Sequence, residues 1–217
     1  MNRQISQSRQ GADEATVFLV DDDLVTLTVV AQVLRTAGYH VVEFSEATAF
    51  LAADPFERHG CAVLDLAMPN VSGIDLQHAI AEKHGTLPVV FLTGAADVRT
   101  TVQAMKDGAV DFLLKPFQPA ELLKAVEQAV AKSASIRAAR AERLAIEKKW
   151  SVLTPREKEV AKLLAQGFLN KQIAVELGMS EATAKQHRAR LLEKLNLGSV
   201  AELSTMVERL RGAGSPG

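Results

Sequence analysis

The first 130 residues alternate between short apolar runs and segments with helical periodicity. The runs are rich in Val, Leu and Phe, which is typical of strands buried on both faces of a sheet. They cover residues 17–20, 41–42 with Phe44, 62–66, 89–92 and 110–114. Amphipathic segments lie near residues 24–37, 46–53, 74–84 and 97–107, and another begins at 119. Five such alternations predict an α/β fold, a doubly wound five-stranded parallel sheet with helices on both faces.

The remainder of the chain from Leu153 shows only the helical period. Thr154, Pro155 and Glu157 indicate a helix start, because Thr caps, Pro suits the first position and Glu completes a capping box. Ser180 offers a second cap. Helical segments lie near residues 155–166, 170–177, 181–195 and 200–210. The sequence therefore predicts a second, all-α domain of four helices.

A long helix connects the two patterns. It begins at Pro119 and continues without a breaker to about Trp150. Its apolar positions fit a coiled-coil heptad over barely two repeats, so we interpret the stretch as a solvated helical linker. The predicted organisation is a disordered tail at 1–14, an α/β domain at 15–131, a helical linker at 132–150, a helical domain at 151–211 and a disordered tail at 212–217.

Charge is distributed unevenly between these parts. Residues 1–130 carry 9 Lys and Arg against 17 Asp and Glu, and residues 131–217 carry 16 against 9, within a net charge of −1. The basic part suits a polyanionic partner. The single cysteine, Cys61, excludes an intramolecular disulfide and a cysteine-rich zinc site. Without a membrane-spanning run or the apolar centre of a signal peptide, we expect a soluble, cytoplasmic protein that has no membrane partner.

Reactive side chains follow or end four of the five predicted strands. They are Asp21, Asp22 and Asp23 after the first, Asp65 in the third, Thr93 after the fourth and Lys115 after the fifth. The carboxyl ends of parallel strands meet in one crevice, so these groups should converge. Carboxylates bind Mg²⁺, one carboxylate can attack phosphorus, and a hydroxyl and an ammonium can stabilise the transferred oxygens. The constellation indicates phosphoryl transfer.

One family of phosphatases resembles this arrangement. In haloacid-dehalogenase-type phosphatases the nucleophile opens an Asp-x-Asp-x-(Thr/Val) motif, which residues 21–25 match. The enzyme implied is Mg²⁺-dependent and uses Asp21 as its nucleophile. That family also needs an acidic pair beyond the lysine, and no Asp follows Lys115. We keep this phosphatase as the alternative function.

Another resemblance covers the whole α/β part. The motifs are Phe-Leu-Val-Asp-Asp-Asp at 18–23, Leu-Asp-Leu-Ala-Met-Pro-Asn-Val-Ser-Gly at 64–73, Leu-Thr-Gly at 92–94 and Asp-Phe-Leu-Leu-Lys-Pro-Phe at 111–117. They resemble the flavodoxin-like receiver domain of bacterial response regulators. The resemblance implies that Asp65 accepts a phosphoryl group from a sensor histidine kinase, and that the protein is a regulator and not an enzyme.

The receiver resemblance also gives roles to the other residues of the crevice. The implied ligands of Mg²⁺ are Asp22, Asp65 and the backbone carbonyl of Ala67, with Asp21 acting mainly through water. The implied phosphoryl-binding and switch residues are Lys115, Thr93 and Phe112. Asp23 lies outside the matched pair of acids, and we expect it to cap the helix that begins near Leu24.

Two alanines bear on how long the phosphoryl group persists. Ala67 is two residues after Asp65, and Ala95 is two residues after Thr93. By the resemblance, these side chains flank the path of the water that attacks the acyl phosphate. Alanine can neither hold nor polarise that water, so we expect slow self-dephosphorylation.

The helical segment 181–195 carries most of the candidate nucleic-acid contacts. It follows the segment 170–177 and a turn at Gly178, which is the order of a helix-turn-helix. An isolated basic helix is more often a solvated surface. The preceding turn and the basic character of this half favour phosphate attraction and base contacts in a major groove.

The motifs of this part resemble the LuxR/FixJ-type DNA-binding domain over roughly residues 151–211. They are Leu-Thr-Pro-Arg-Glu at 153–157, Asn-Lys-Gln-Ile-Ala at 170–174 and Leu-Gly-Met-Ser at 177–180. The resemblance implies that the third helix enters the major groove of double-stranded DNA. The implied base-facing residues are Lys185, Gln186, Ala189 and Arg190. The implied backbone contacts are Lys171, Thr183, His187, Arg188 and Lys194. Ala184 departs from the valine usual in the family, which alters the packing of this helix.

Together the two resemblances identify the chain as a two-component response regulator of the LuxR/FixJ type. The implied function is phosphorylation-dependent, DNA-binding transcriptional regulation. We expect an activator that forms a homodimer when phosphorylated, with RNA polymerase as a further partner.

Overall fold

A computed structural model describes residues 15–83, 85–94 and 98–212. The chain divides into two compact units between Arg137 and Ala138, inside a long helix. The predicted tails at 1–14 and 212–217 lie outside the described residues, except for Gly212, which is the last residue of a helix. Among the described residues, none of the helices is long and apolar enough to span a membrane.

The first unit is an α/β sandwich, as the alternating pattern predicts. Its strands are β1 (Thr16–Val20), β2 (His40–Phe44), β3 (Gly60–Asp65), β4 (Val89–Thr93) and β5 (Asp111–Leu114). Its helices are α1 (Leu24–Thr36), α2 (Ala47–Ala53), α3 (Gly73–Glu82), α4 (Val98–Lys106) and the first part of α5 (Pro119–Ser151). The strands form one parallel sheet in the order β2-β1-β3-β4-β5. The predicted doubly wound five-stranded sheet is confirmed.

The sheet is apolar on both faces because helices cover each of them. One face packs in a cluster that contains Phe91 of β4 and Phe50 of α2. The other face packs in a cluster that contains Leu92 of β4, Leu34 of α1 and Leu122 of α5. Neighbouring residues of one strand therefore belong to opposite clusters, which explains why the strands read as continuous apolar runs.

Gly60 opens β3 at the end of the sheet opposite its carboxyl edge. Its φ is +142°, and a Cβ at this position would lie 1.8 Å from the carbonyl oxygen of Thr16. Only glycine avoids that clash. The amide of Gly60 also donates a hydrogen bond to Oγ of the buried Ser133 (3.2 Å), which ties α5 to the start of β3.

The second unit is entirely helical among its described residues. It contains the end of α5, then α6 (Pro155–Ala165), α7 (Asn170–Glu176), α8 (Glu181–Leu195) and α9 (Val200–Gly212). Its core includes Val160, Ile173, Leu191 and Leu203, and Trp150 at the end of α5 packs against that core. Residues 138–145 of α5 are all exposed.

The two predicted helix caps of this unit are present. Thr154 and Glu157 form a reciprocal capping box at the start of α6, with Pro155 at the first position. Ser180 accepts a hydrogen bond from the amide of Thr183 (3.1 Å) at the start of α8. Local side-chain chemistry therefore fixes where α6 and α8 begin.

Candidate functional site

Four predicted side chains lie where the strands of the sheet end. Asp21 follows β1, Asp65 is the last residue of β3, Thr93 is the last of β4, and Lys115 follows β5. The amide of Lys115 donates to the carbonyl oxygen of Thr93 (2.7 Å), which fixes the lysine beside β4. The predicted convergence follows from the parallel topology alone, because all carboxyl ends share one edge.

The centre of this crevice is an ammonium group between two buried carboxylates. Nζ of Lys115 donates to Oδ2 of Asp21 (2.5 Å) and to Oδ1 of Asp65 (2.7 Å). Asp21 is 1% exposed and Asp65 is 6% exposed, whereas the side chain of Lys115 is 23% exposed. The remaining oxygens accept from backbone amides, Oδ1 of Asp21 from Asp23 (2.9 Å) and Oδ2 of Asp65 from Ala67 (2.8 Å).

The charges of this cluster do not cancel. Burial raises the pKa of Asp21 above its ordinary value, although its hydrogen bonds to Lys115 and Asp23 act in the opposite direction. Burial also lowers the pKa of Lys115, but the hydrogen bonds that its ammonium donates to Asp21 and Asp65 outweigh this and raise it. Two carboxylates thus share one firmly protonated ammonium, and the site attracts further positive charge.

The donors of the crevice fit a magnesium ion by their chemistry. Carboxylate and carbonyl oxygens are the ligands that Mg²⁺ prefers. Asp21 and Asp65 together also carry one more negative charge than Lys115 neutralises. The third predicted acid, Asp22, is exposed and lines a neighbouring cavity of about 370 Å³ with Ser45, Met68 and Asn70. Within the described residues, no three His, Cys, Asp or Glu side chains are gathered closely enough to hold a metal ion.

Asp23, Phe112 and Ala67, the other predicted residues described in this unit, lie in different surroundings. Asp23 caps α1 as predicted, because its Oδ1 accepts from the amide of Val25 (3.0 Å). Phe112 of β5 is half-buried and packs against the cluster that contains Phe91. Ala67, whose amide donates to Asp65, is exposed. Ala95 lies outside the described residues.

The predicted recognition helix α8 presents a polar face to solvent. Its four predicted base-facing residues are all exposed, and their spacing places them on adjoining faces of one helix. They are Lys185, Gln186, Ala189 and Arg190. Nζ of Lys185 pairs with Oε1 of Glu181 (3.1 Å) on the exposed surface. Ala184 is buried on the inner side, where its small side chain belongs to the core of the helical unit.

The predicted backbone contacts do not share one environment. Lys171 is exposed, whereas Thr183, His187 and Arg188 are half-buried. Nζ of Lys194 donates to Oε2 of Glu157 (2.8 Å), a carboxylate that is 3% exposed. The sequence patterns identify Glu157 only as part of a helix cap and give no sign of its contact with Lys194, 37 residues away.

Comparisons with known proteins agree with both units. Residues 17–127 match the family described as "Response regulator receiver domain", and residues 151–207 match "Bacterial regulatory proteins, luxR family". The response regulator protein TmoT of Ectopseudomonas mendocina is 36% identical over 208 residues, which cover 96% of this chain and 94% of TmoT.

Solved structures also resemble the chain over most of its length. The response regulator StyR is 44% identical with a TM-score of 0.80, covering 90% of this chain and 99% of the StyR chain. Full-length FixJ from B. japonicum is 33% identical with a TM-score of 0.56, covering 93% of this chain and 99% of the FixJ chain.

The fold and its carboxyl-edge crevice are those of a response regulator. The chain belongs to the response regulators that join a receiver domain to a LuxR-type DNA-binding domain, a family of transcriptional regulators. The predicted class and general function are confirmed, and the phosphatase alternative finds no support in these relatives.

Proposed function

We propose that Asp65 accepts a phosphoryl group from a sensor histidine kinase and that this event controls DNA binding by α8. The observation that carries the proposal is the ammonium of Lys115, which contacts two buried carboxylates at the carboxyl edge of the sheet. Such an uneven charge balance costs stability and is typical of functional sites. Asp65 is the member of the pair at the end of the central strand β3.

The bond that forms and the bond that breaks in this transfer join groups of the crevice and of the kinase. One carboxylate oxygen of Asp65 attacks the phosphorus of a phosphohistidine on the kinase. A P–O bond forms while the P–N bond breaks, and the imidazole nitrogen keeps that electron pair and then takes a proton from solvent. Lys115 stays protonated and places its charge beside the transferred oxygens. The product is an acyl phosphate on Asp65.

Mg²⁺ is the cofactor that this charge balance favours. When bound, it supplies positive charge that offsets the oxygens of the transferred group. Asp22, Asp65 and the backbone carbonyl of Ala67 would hold it, with Asp21 acting through water. We expect a chelator to abolish phosphorylation by a small acyl phosphate, and excess Mg²⁺ to restore it, as followed by intact mass.

Thr93 and Phe112 are proposed to connect phosphorylation to the surface of α4 and β5. Thr93 is buried at the end of β4, and the half-buried Phe112 packs against the cluster that contains Phe91 of β4 and Ala104 of α4. The same surface exposes the large apolar side chains of Val102, Met105 and Leu114. A patch of this kind suits a second copy of the chain, so phosphorylation is expected to yield a homodimer.

The DNA-binding unit is proposed to read double-stranded DNA with the exposed face of α8. Gln186 can pair bidentately with adenine, and Ala189 can contact a thymine methyl group. Lys185 and Arg190 extend the same face, while Lys171, Thr183, His187 and Arg188 are proposed to contact phosphates. The bound dimer is proposed to activate transcription through RNA polymerase.

The acyl phosphate on Asp65 is proposed to be long-lived. The Ala67 methyl group beside the acceptor offers no hydrogen bond to an attacking water, and Ala95 has the same chemistry. Time-resolved loss of the phosphoryl group tests this. Clearance within seconds, in the absence of a partner phosphatase, contradicts it.

One selection experiment tests the whole proposal. The full chain is incubated with a random-sequence DNA pool, with and without beryllofluoride and Mg²⁺ as a mimic of the acyl phosphate. We expect one sequence family to be enriched, at much lower protein concentration when the mimic is present. If neither state binds DNA, the DNA-binding function is wrong. If both states bind equally, the phosphorylation switch is wrong.

A further inference from the structure

We propose that Lys194 and Glu157 form a positioning pair that sets the recognition helix α8 against α6, and that Lys194 does not contact DNA. The inference rests on the proposed DNA-binding function and reassigns one lysine that the family resemblance places among the phosphate contacts. It makes that lysine a determinant of recognition that acts through the orientation of α8.

Glu157 is a buried carboxylate whose one oxygen collects three donors. Oε2 accepts from the amide of Thr154 (2.8 Å), from Oγ1 of Thr154 (3.0 Å) and from Nζ of Lys194 (2.8 Å). Burial alone would raise the pKa of Glu157, yet the hydrogen bonds from Lys194 and Thr154 hold it below its ordinary value. The carboxylate is therefore ionised, and Lys194 is its counter-ion.

A phosphate would compete with this carboxylate for the ammonium of Lys194. Its side chain is 41% exposed, but the ammonium is turned to Glu157 on α6. Moving it to DNA would leave a buried negative charge unpaired, which is the costly way to break an ion pair. The exposed Lys171 and the surface pair of Lys185 with Glu181 carry no such penalty.

The first turn of α6 also contacts the other end of the helix-turn-helix. The guanidinium of Arg156 donates to the carbonyl oxygen of Leu177, at the end of α7, and to Oε2 of Glu159 (2.7 Å). Adjacent residues of α6 thus bind the end of α7 and the last turn of α8. These two polar contacts add to the core packing that holds α7 and α8 at their angle, and that angle sets which bases the exposed face of α8 can reach.

The test separates a phosphate contact from a positioning role by two measurements. The first is the slope of log affinity against log salt for a random-sequence duplex, which falls by about 0.9 for each phosphate contact removed. The second is the ratio of affinity for the enriched duplex to affinity for the random duplex. The variants are Lys194→Met, Lys194→Arg and, as the matched control, the exposed Lys171→Met.

For Lys194→Met we expect an unchanged salt slope and a roughly tenfold lower affinity ratio, equivalent to about one poorly fitted base pair. Lys194→Arg should restore the ratio, because a guanidinium can also donate to Glu157. Lys171→Met should lower the slope and leave the ratio unchanged. A loss of protein stability alone would weaken binding to both duplexes equally and leave the affinity ratio unchanged.

A neutral double variant guards against misfolding. Glu157→Gln with Lys194→Met removes both charges and keeps an oxygen acceptor for the cap, and the fluorescence of Trp150 reports whether the helical unit is folded. We expect this variant to fold and to retain the wild-type salt slope. A slope lowered by about 0.9 in either Lys194→Met background, or an unchanged ratio in both, overturns the inference. A wild-type protein that binds neither duplex overturns the DNA-binding function instead.

Discussion

Lys115 in the receiver and Lys194 in the DNA-binding unit both donate to buried carboxylates, but their surroundings differ in charge. Lys115 is shared by Asp21 and Asp65, so a negative charge remains at the carboxyl edge of the sheet. Lys194 neutralises Glu157 alone. The unbalanced cluster fits the proposed binding of a cation and a phosphoryl group, whereas the balanced pair fits the proposed positioning of α8.

The acids of the two clusters respond to this difference in opposite directions. Burial raises the pKa of Asp21 despite the nearby ammonium. In Glu157, burial is outweighed by hydrogen bonds from Lys194 and Thr154, and the pKa is lowered. The ionised form of Asp21 therefore costs the folded receiver stability, and the ionised form of Glu157 stabilises the folded DNA-binding unit.

The largest expected effect is the loss of the acceptor. Asp65→Asn should abolish phosphorylation by a small acyl phosphate and Mg²⁺, because an amide oxygen is a poor nucleophile towards phosphorus. Intact mass of the protein measures it. The matched control is Asp23→Asn, in which the amide still caps α1, and this variant should be phosphorylated like the wild type. Phosphorylation that persists in Asp65→Asn would place the acceptor elsewhere.

The next largest effect is on the free energy of unfolding, which two acid-to-amide variants should change in opposite directions. Asp21→Asn should stabilise the receiver by about 1 kcal/mol, because it relieves an excess of buried negative charge. Glu157→Gln should destabilise the DNA-binding unit by about 1–2 kcal/mol, because it weakens a charge-assisted hydrogen bond. Unfolding is followed in the receiver by labelling of the single cysteine, Cys61, and in the other unit by the single tryptophan, Trp150. Changes of the same sign in both units contradict the comparison.

The Cys61 reporter works because burial raises the pKa of its thiol to about 12. Labelling needs the thiolate, so it requires opening of the receiver. Trp150 packs against the core of the DNA-binding unit and responds to unfolding there.

Lowering the pH should remove the stability differences of both Asp21→Asn and Glu157→Gln from the wild type. The stability that Glu157 contributes is present above its ordinary pKa of 4.5 and is lost as the pH falls through its lower folded-state pKa. The cost of Asp21 is present above its raised folded-state pKa and disappears as the pH falls towards the ordinary value of 3.8. The stability of each amide variant should therefore approach that of the wild type in acid. Differences that stay constant from neutral pH to acid would show that neither titration is involved.

The smallest effect concerns the exposed pair of Lys185 with Glu181. Glu181→Gln should change the stability of the DNA-binding unit by less than about 0.5 kcal/mol, because exposed ion pairs contribute little. It should also raise DNA affinity slightly by freeing the positive charge of Lys185. Trp150 fluorescence and duplex titration measure the two quantities. A stability loss as large as that of Glu157→Gln would remove the distinction between exposed and buried pairs.

Sequence patterns predict more of the receiver site than of the contacts within the DNA-binding unit. Lys115 and Asp21 are 94 residues apart, yet their meeting is predictable because parallel topology brings all strand ends to one edge. Lys194 and Glu157 are separated by only 37 residues, and nothing local predicts their contact. Helical periodicity shows which face of a helix is buried, but packing angles arise from the whole set of interlocking side chains.

Local chemistry was sufficient where one turn decides the outcome. The caps at Asp23, Thr154 and Ser180 are visible in the sequence because donor and acceptor lie within three residues. The start of β3 is not visible in the sequence, since glycine normally interrupts strands and residue 60 is a glycine. There the close approach of the Thr16 carbonyl makes glycine the only residue that can continue the ladder.

That close approach at Gly60 has a genetic consequence. Every missense allele of this codon places a side chain into the Thr16 backbone, so each is expected to behave as a null allele although the codon specifies no site residue. Such alleles would be scored together with acceptor-site alleles in a screen for lost signalling. They separate by abundance, because acceptor-site alleles leave normal amounts of protein in the cell, whereas Gly60 alleles lose it to proteolysis.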